Sequence, residues 1–222
     1  MPAPRDPQHR GGSGTPLVLL HGFMDTWHTW ELVLPALEAR HDVLAPTLAG
    51  HAGAAPLPDG PPADAIVDAV EAAMDAAGIG LAHVAGNSLG GFVALQLAAR
   101  GRARTVTALA PAGGWAPDDV AYRALLGEER ALYDEVRLAA PLAGALAAAA
   151  RRRRRATRSL TVRSEHIPAD LVARLIAGVA GCTAAPALLD AALEDGWPPL
   201  DVARVTCPVR IVWGTADALL PW

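Results

Sequence analysis

The sequence predicts an α/β fold: a doubly wound, mostly parallel sheet interrupted late in the chain by a helical cap insertion. Three observations carry that expectation. Short apolar runs alternate with helix-patterned segments over the first half of the 222 residues. At residues 81–100 an apolar run meets a Gly-x-Ser-x-Gly turn and then a helical pattern. From 116 to about 196 the alternation stops, helix follows helix, and one further strand-like run closes the series at 208–214.

Taken in order, residues 16–20 read as a buried strand ending at His21-Gly22, because a short run of Leu and Val bounded by turn residues fits a covered strand. Residues 29–40 carry Trp30, Leu32, Val33, Leu34 and Leu37 at helical spacing. A second strand at 42–46 is stopped by Pro46, and 48–62 is a Gly- and Pro-rich loop. Residues 63–77 place Ile66, Val67, Val70, Ala73 and Met74 on one face, with Gly78 as a stop. Residues 106–110 form a further strand closed by Pro111. The expected division is a core of residues 1–115 and 197–222, with a cap at 116–196. In parallel sheets of this kind ligands bind at the carboxyl ends of the strands, so the insertion would lie over a site.

Composition narrows the function classes. The net charge of −4 argues against nucleic acid as the main partner. No stretch reaches the roughly 18 apolar residues that a membrane span needs, and residues 138–150 are broken by Pro141 and Gly144. The first fourteen residues lack the apolar centre of a signal peptide, so cytoplasm is the expected location. Two cysteines, Cys182 and Cys207, make neither a disulfide framework nor a metal set; no metal or organic cofactor is expected. All nineteen basic residues are arginine, which with the abundant Ala, Gly and Pro fits a GC-rich coding bias.

The chemistry centres on Gly86-Asn87-Ser88-Leu89-Gly90-Gly91. A tight turn between strand and helix wants glycine on both sides, and it lifts the Ser88 hydroxyl to where a substrate can reach it. The helix that starts there aims free N–H groups at the same spot. A Gly-rich turn with an idle serine has the same local pattern; two other segments tip the balance. His21-Gly22-Phe23 follows the first parallel strand, and Gly214-Thr215-Ala216-Asp217 follows the last.

With those motifs and the Gly50-His51-Ala52-Gly53 loop, the sequence resembles the α/β-hydrolase fold family in its capped bacterial serine hydrolase and esterase form, over roughly 16–222. The resemblance implies Ser88 as nucleophile, the backbone N–H groups of Phe23 and Leu89 as oxyanion hole, and Asp217 as the acid that orients a histidine. Asp118 and Asp119 are competing acids. Trp27, Trp30 and Asn87 are expected to line the acyl pocket, with packing of the first helix on the sheet as the alternative for Trp30. Serine in place of aspartate argues against epoxide hydrolase or haloalkane dehalogenase chemistry, which forms an ester on a carboxylate.

The family's base is a histidine in a loop beyond one more strand. None of the seven histidines here occupies that position, His166 in the cap being the remote candidate. The expectation is therefore a hydrolase truncated before its catalytic histidine, without its last strand and C-terminal helix, and weakly active or inactive. Its final strand would be an open edge available for self-association. The N-terminus is also expected to hold little of the antiparallel hairpin that often precedes the first parallel strand. Arg151 to Arg155 form a basic tract inside the cap, read as a solvated helix face. A small-molecule acyl substrate is the expected partner, with no nucleic acid and no membrane. A ligand-binding or interaction relative without catalysis, and within enzymes a carbon–carbon bond hydrolase or a cofactor-free haloperoxidase-like perhydrolase, remain alternatives.

Overall fold

Strand β2 (Thr15–Leu20) carries four successive leucine and valine residues, and all four are buried. Successive strand side chains point to opposite faces, so burying every one requires a covering layer on both sides. Leu17 and Leu19 meet Leu34, Val43 and Ala45 on one face, while Val18 and Leu20 join Leu44, Ile66 and Val93 on the other.

The computed structural model describes residues 6–116, 118–142, 161, 163, 166–217 and 219–220. Besides β2, its strands are β1 (Gln8–Gly12), β3 (His41–Pro46), β4 (Ala82–Asn87), β5 (Ala103–Leu109) and β6 (Val209–Val212). They form one sheet in the order β1-β3-β2-β4-β5-β6, parallel throughout except for β1, which runs antiparallel to β3. Helices α2 (Pro62–Ala76) and α3 (Leu89–Ala99) cover the Val18 face. The short α1 (Leu34–Glu38) covers part of the other.

Two expectations need correction. The amino-terminal segment does contain an antiparallel strand, β1, which pairs residue by residue with β3 from Gln8↔Pro46 to Gly12↔Asp42. An edge strand is held by backbone pairing and needs no apolar alternation, so a polar stretch hides it from pattern reading. Its side chains are tied down instead: His9 to Glu38, and Arg10 Nη2 to Asp42 Oδ2 at 2.9 Å. The helix expected at 29–40 is a 3-10 turn at Trp27–Trp30 followed by α1. Pro35 lacks an N–H and fits only the first helical turn, so the helix starts beside it.

Between β5 and β6 the described residues form α4 (Val120–Ala139), α5 (Ala169–Gly181) and α6 (Ala185–Glu194). Asp119 caps α4, its side chain accepting from the Tyr122 N–H at 2.9 Å. Tyr122 and Leu126 of α4 pack against Leu189 and Ala192 of α6, and Ile176 of α5 meets Val136. The Arg151 to Arg155 tract and most of the apolar stretch 138–150 lie outside the described residues. No single helix among the described residues is long and apolar enough to cross a membrane. The α5–α6 pair, joined at a 66° bend, is apolar because Leu171, Val172, Leu188 and Leu189 are buried. Strand β6 differs from the rest of the sheet: Val209, Ile211 and Val212 are all exposed.

Candidate active site

Ser88 sits between β4 and α3 with φ 51° and ψ −116°, a backbone conformation that side-chain-bearing residues rarely adopt. The two flanking glycines make this possible by close approach. A Cβ on Gly86 would lie 2.0 Å from the Gly90 carbonyl oxygen, and one on Gly90 would lie 2.2 Å from the Leu20 carbonyl oxygen. Both distances are far inside contact, so α3 can start where it does only because neither residue has a side chain. The strand-to-helix turn expected from the motif is present, and the start of α3 is directed at it.

The loop after β2 reaches the same place. A Cβ on Gly22 would lie 3.1 Å from Asn87 Oδ1 and 3.5 Å from Ser88 Cβ, which puts the His21-Gly22-Phe23 turn against the serine. His21 pins that turn. Its Nδ1 donates to the Gly22 carbonyl at 2.8 Å, and its Nε2 accepts from the Leu48 N–H at 2.9 Å. One ring nitrogen donates and the other accepts, so the neutral imidazole is fully used and no room exists for a second proton. Burial, with His51 beside it, holds the His21 pKa well below its usual value. His51, also fully buried, is lowered to about 4, mainly by burial, and its Nε2 finds no partner among the described residues. Met24, next along the loop, has φ 59° and is buried with Tyr133 of α4, Cys182 and Ala185. The helical layer therefore braces the loop from above.

Phe23, Asn87, Ser88 and Leu89 all border one cavity of about 190 Å³. Its far wall is α4, α5 and α6, with Tyr122, Leu126, Leu175 and Leu189, and its flank is Trp115 and Trp197. Trp115 stacks on Tyr122 with ring centres 5.3 Å apart, and the Trp197 indole N–H donates to the Tyr122 hydroxyl. Asn87 borders the cavity while its amide donates to the Leu109 carbonyl at 3.1 Å. Trp27 does not line it. Its ring stacks on His28 at 3.8 Å and packs on the Leu17 face of the sheet, with Nε1 donating to the Asp6 carbonyl. Trp27 was expected at the pocket because it is close to Phe23 in sequence, but the 3-10 turn carries it round to the other face.

Asp217 lies in the turn after β6, at the same carboxyl edge as Ser88, since β5 pairs with both β4 and β6. Its Oδ1 accepts from the N–H groups of Leu219 and Leu220, both at 2.9 Å, folding that segment so that Leu219 and Leu220 border the cavity. The rival acid Asp119 is engaged as the α4 cap. None of the histidines lines the cavity, and His166 is exposed. Among the described residues no group of three or more His, Cys, Asp or Glu side chains could hold a metal ion.

Sequence reasoning missed the aromatic flank and two carboxyl groups in the cavity, Asp25 and Glu129. Asp25 follows the His21-Gly22-Phe23 turn by two residues, and burial raises its carboxyl to about 6. Glu129 falls in register with Tyr122, Leu125, Leu126 and Leu132 on α4, a helical stripe readable from the sequence once its partner surface is known.

An alpha/beta hydrolase fold model matches residues 15–222. The chain belongs to this family. Among curated proteins, a pimeloyl-[acyl-carrier protein] methyl ester esterase of Neisseria meningitidis serogroup A is 33% identical over 213 residues, covering 91% of this chain and 62% of that protein. The epoxide hydrolase EphH of Mycobacterium tuberculosis is 56% identical over 50 residues, covering 22% of this chain and 23% of the relative. The chain thus spans less than two thirds of the length of both. A putative lipase of Acinetobacter baumannii superposes with a TM-score of 0.72 at 19% identity, over 96% of this chain and 72% of that one, a likeness of fold. The relatives it matches within the family are named as an esterase and an epoxide hydrolase.

Proposed function

We propose that this hydrolase acts on carboxylic esters or similar acyl groups through an acyl-enzyme on Ser88. The observation that supports the reading most is the strained Ser88 backbone at the rim of a largely apolar cavity. In this scheme Ser88 Oγ bonds to the acyl carbon while its proton passes to water, which returns a proton to the departing alkoxide, and the carbonyl π pair moves onto oxygen. The Phe23 and Leu89 N–H groups hold that charge, a contribution of several kcal/mol in a dry site. The tetrahedral adduct collapses with loss of the alcohol, and water then releases the acid. A serine nucleophile supports acyl transfer over epoxide opening, because serine attack on an epoxide carbon would leave an ether that water does not cleave, whereas an acyl-serine is an ester that water hydrolyses.

Asp217 is assigned the role of orienting a histidine. Because no histidine borders the cavity, the 222-residue chain is expected to turn over slowly: a triad lacking a member keeps about 10³–10⁴-fold acceleration over water. A cytoplasmic setting goes with the reading, supported by the unbridged Cys182 and Cys207. Labelling with a fluorophosphonate tests the nucleophile. Slow modification confined to Ser88, lost in Ser88→Ala, is the expected result; modification elsewhere, or none after prolonged exposure, refutes it.

A further inference from the structure

Along α4 the residues that border the cavity are Tyr122, Leu125, Leu126, Glu129 and Leu132, spaced three or four apart. Every other position in that stripe is apolar or aromatic, so Glu129 is the anomaly. A carboxylate placed on an apolar face is costly unless something compensates it. Here burial, with Glu128 nearby, raises its pKa. Across the cavity the loop after β2 contributes a second carboxyl, Asp25, whose Oδ1 accepts only from its own neighbourhood, the Thr26 N–H at 2.7 Å among them. Neither takes part in the ion pairs among the described residues, and among those residues no Arg or His side chain borders the cavity. Besides Ser88 and Asn87, the remaining polarity of the walls among the described residues is aromatic, from Trp115, Tyr122 and Trp197.

Two carboxyl groups from different layers and three electron-rich rings, in an otherwise apolar chamber, make an environment for one kind of charge. We propose that the cavity selects esters carrying a cationic group, an alkylammonium or protonated amine. Its positive centre would lie in the chamber that Glu129, Asp25 and the Trp115–Tyr122 stack line together. The inference deepens the esterase reading and rests on it for the word ester; the cation preference itself is a property of the walls. Aromatic faces attract a desolvated cation and carboxylates attract it further, whereas an anionic acyl chain would meet two like charges with no counter-ion among the described residues.

The test compares two ligands of nearly equal shape, butyrylcholine and uncharged 3,3-dimethylbutyl butyrate, by calorimetric titration of the full chain carrying Ser88→Ala, so that no turnover intervenes. Butyrylcholine is expected to bind about tenfold or more tightly than its isostere. Adding Glu129→Gln is expected to bring the two within about threefold of each other. That substitution removes a half-buried charge and so leaves the unfolding midpoint equal or higher, which shows that the fold is intact. Equal or tighter binding of the neutral ligand, an unchanged ratio in Glu129→Gln, or no saturation by either up to about 10 mM, overturns the proposal. Fluorophosphonate labelling of Ser88 in the parent chain reads the nucleophile separately, so either idea can fail while the other stands.

Discussion

The two walls of the cavity are made in different ways. The lower one, at the carboxyl ends of β2 and β4, is backbone held at contact distance: Gly86 against Gly90, Gly90 against Leu20, His21 bonded at both ring nitrogens. The upper one, on α4, α5 and α6, is side chains on regular helices whose backbones are satisfied without reference to the site. The lower wall has no slack, so almost any change there alters the fold. The upper wall can exchange residues at the cost of local packing alone. Reaction geometry sits on the rigid side and choice of substrate on the adjustable one.

The sharpest way to break this contrast is Gly90→Ala. With backbone carbonyls of Leu20 and His21 at 2.2 and 2.6 Å from the new Cβ, the elbow has to open. A loss of roughly 4 kcal/mol or more in urea unfolding is expected, on the scale of the most damaging single substitutions. A variant with the parent's midpoint would show that the lower wall yields after all. Leu126→Ala on the upper wall is the counterpart: a cost of about 2–4 kcal/mol with Ser88 labelling still present.

Acid offers a third comparison. His21 and His51 are buried neutral, and their folded pKa values lie below the unfolded value near 6.5. The unfolded chain therefore takes up protons first as pH falls, and stability drops from about pH 6.5 down to about 4. Asp25 works the other way over part of that range. Its raised pKa of about 6 means the folded chain binds the extra proton between about 4 and 6, which offsets some of the histidine effect. Equilibrium unfolding against pH is expected to show a flatter acid limb in His51→Phe and a steeper one in Asp25→Asn. Identical limbs in all three chains would sink the assignment.

The smallest effects come from single backbone groups. Ser88→Gly is expected to stabilise by about 1 kcal/mol, because glycine accepts the positive φ that serine resists. Asp119→Ala should cost about 1 kcal/mol through the lost cap, with α4 otherwise intact. If the second exceeds Leu126→Ala, the upper wall is held by its helix end and not by its packing.

The same contrast explains what could be read in advance. The lower wall was legible because close backbone approach dictates residue type: Gly86, Gly90 and the His21-Gly22 turn leave fixed spacings behind them. The four buried positions of β2 were legible for the same reason of period and composition. Strand β1 was not, since pairing through the main chain leaves His9 and Arg10 free to be polar. Nor was the true position of Trp27, which depends on how the 3-10 turn rotates, nor the cavity role of Glu129, which shows only when the opposite surface is known. Tertiary neighbours decide such positions, and a one-dimensional pattern does not contain them.

Strand β6 is tied to the sheet by four aligned residues of β5 and offers its outer side to water. Amide protons should accordingly wash out in a gradient, earliest at Val209–Val212 and latest at β2 and β4. Because Asp217 rides on the turn beyond β6, thermal breathing detaches that carboxylate while Ser88 is still locked in its elbow. The molecule comes apart from its acid inward.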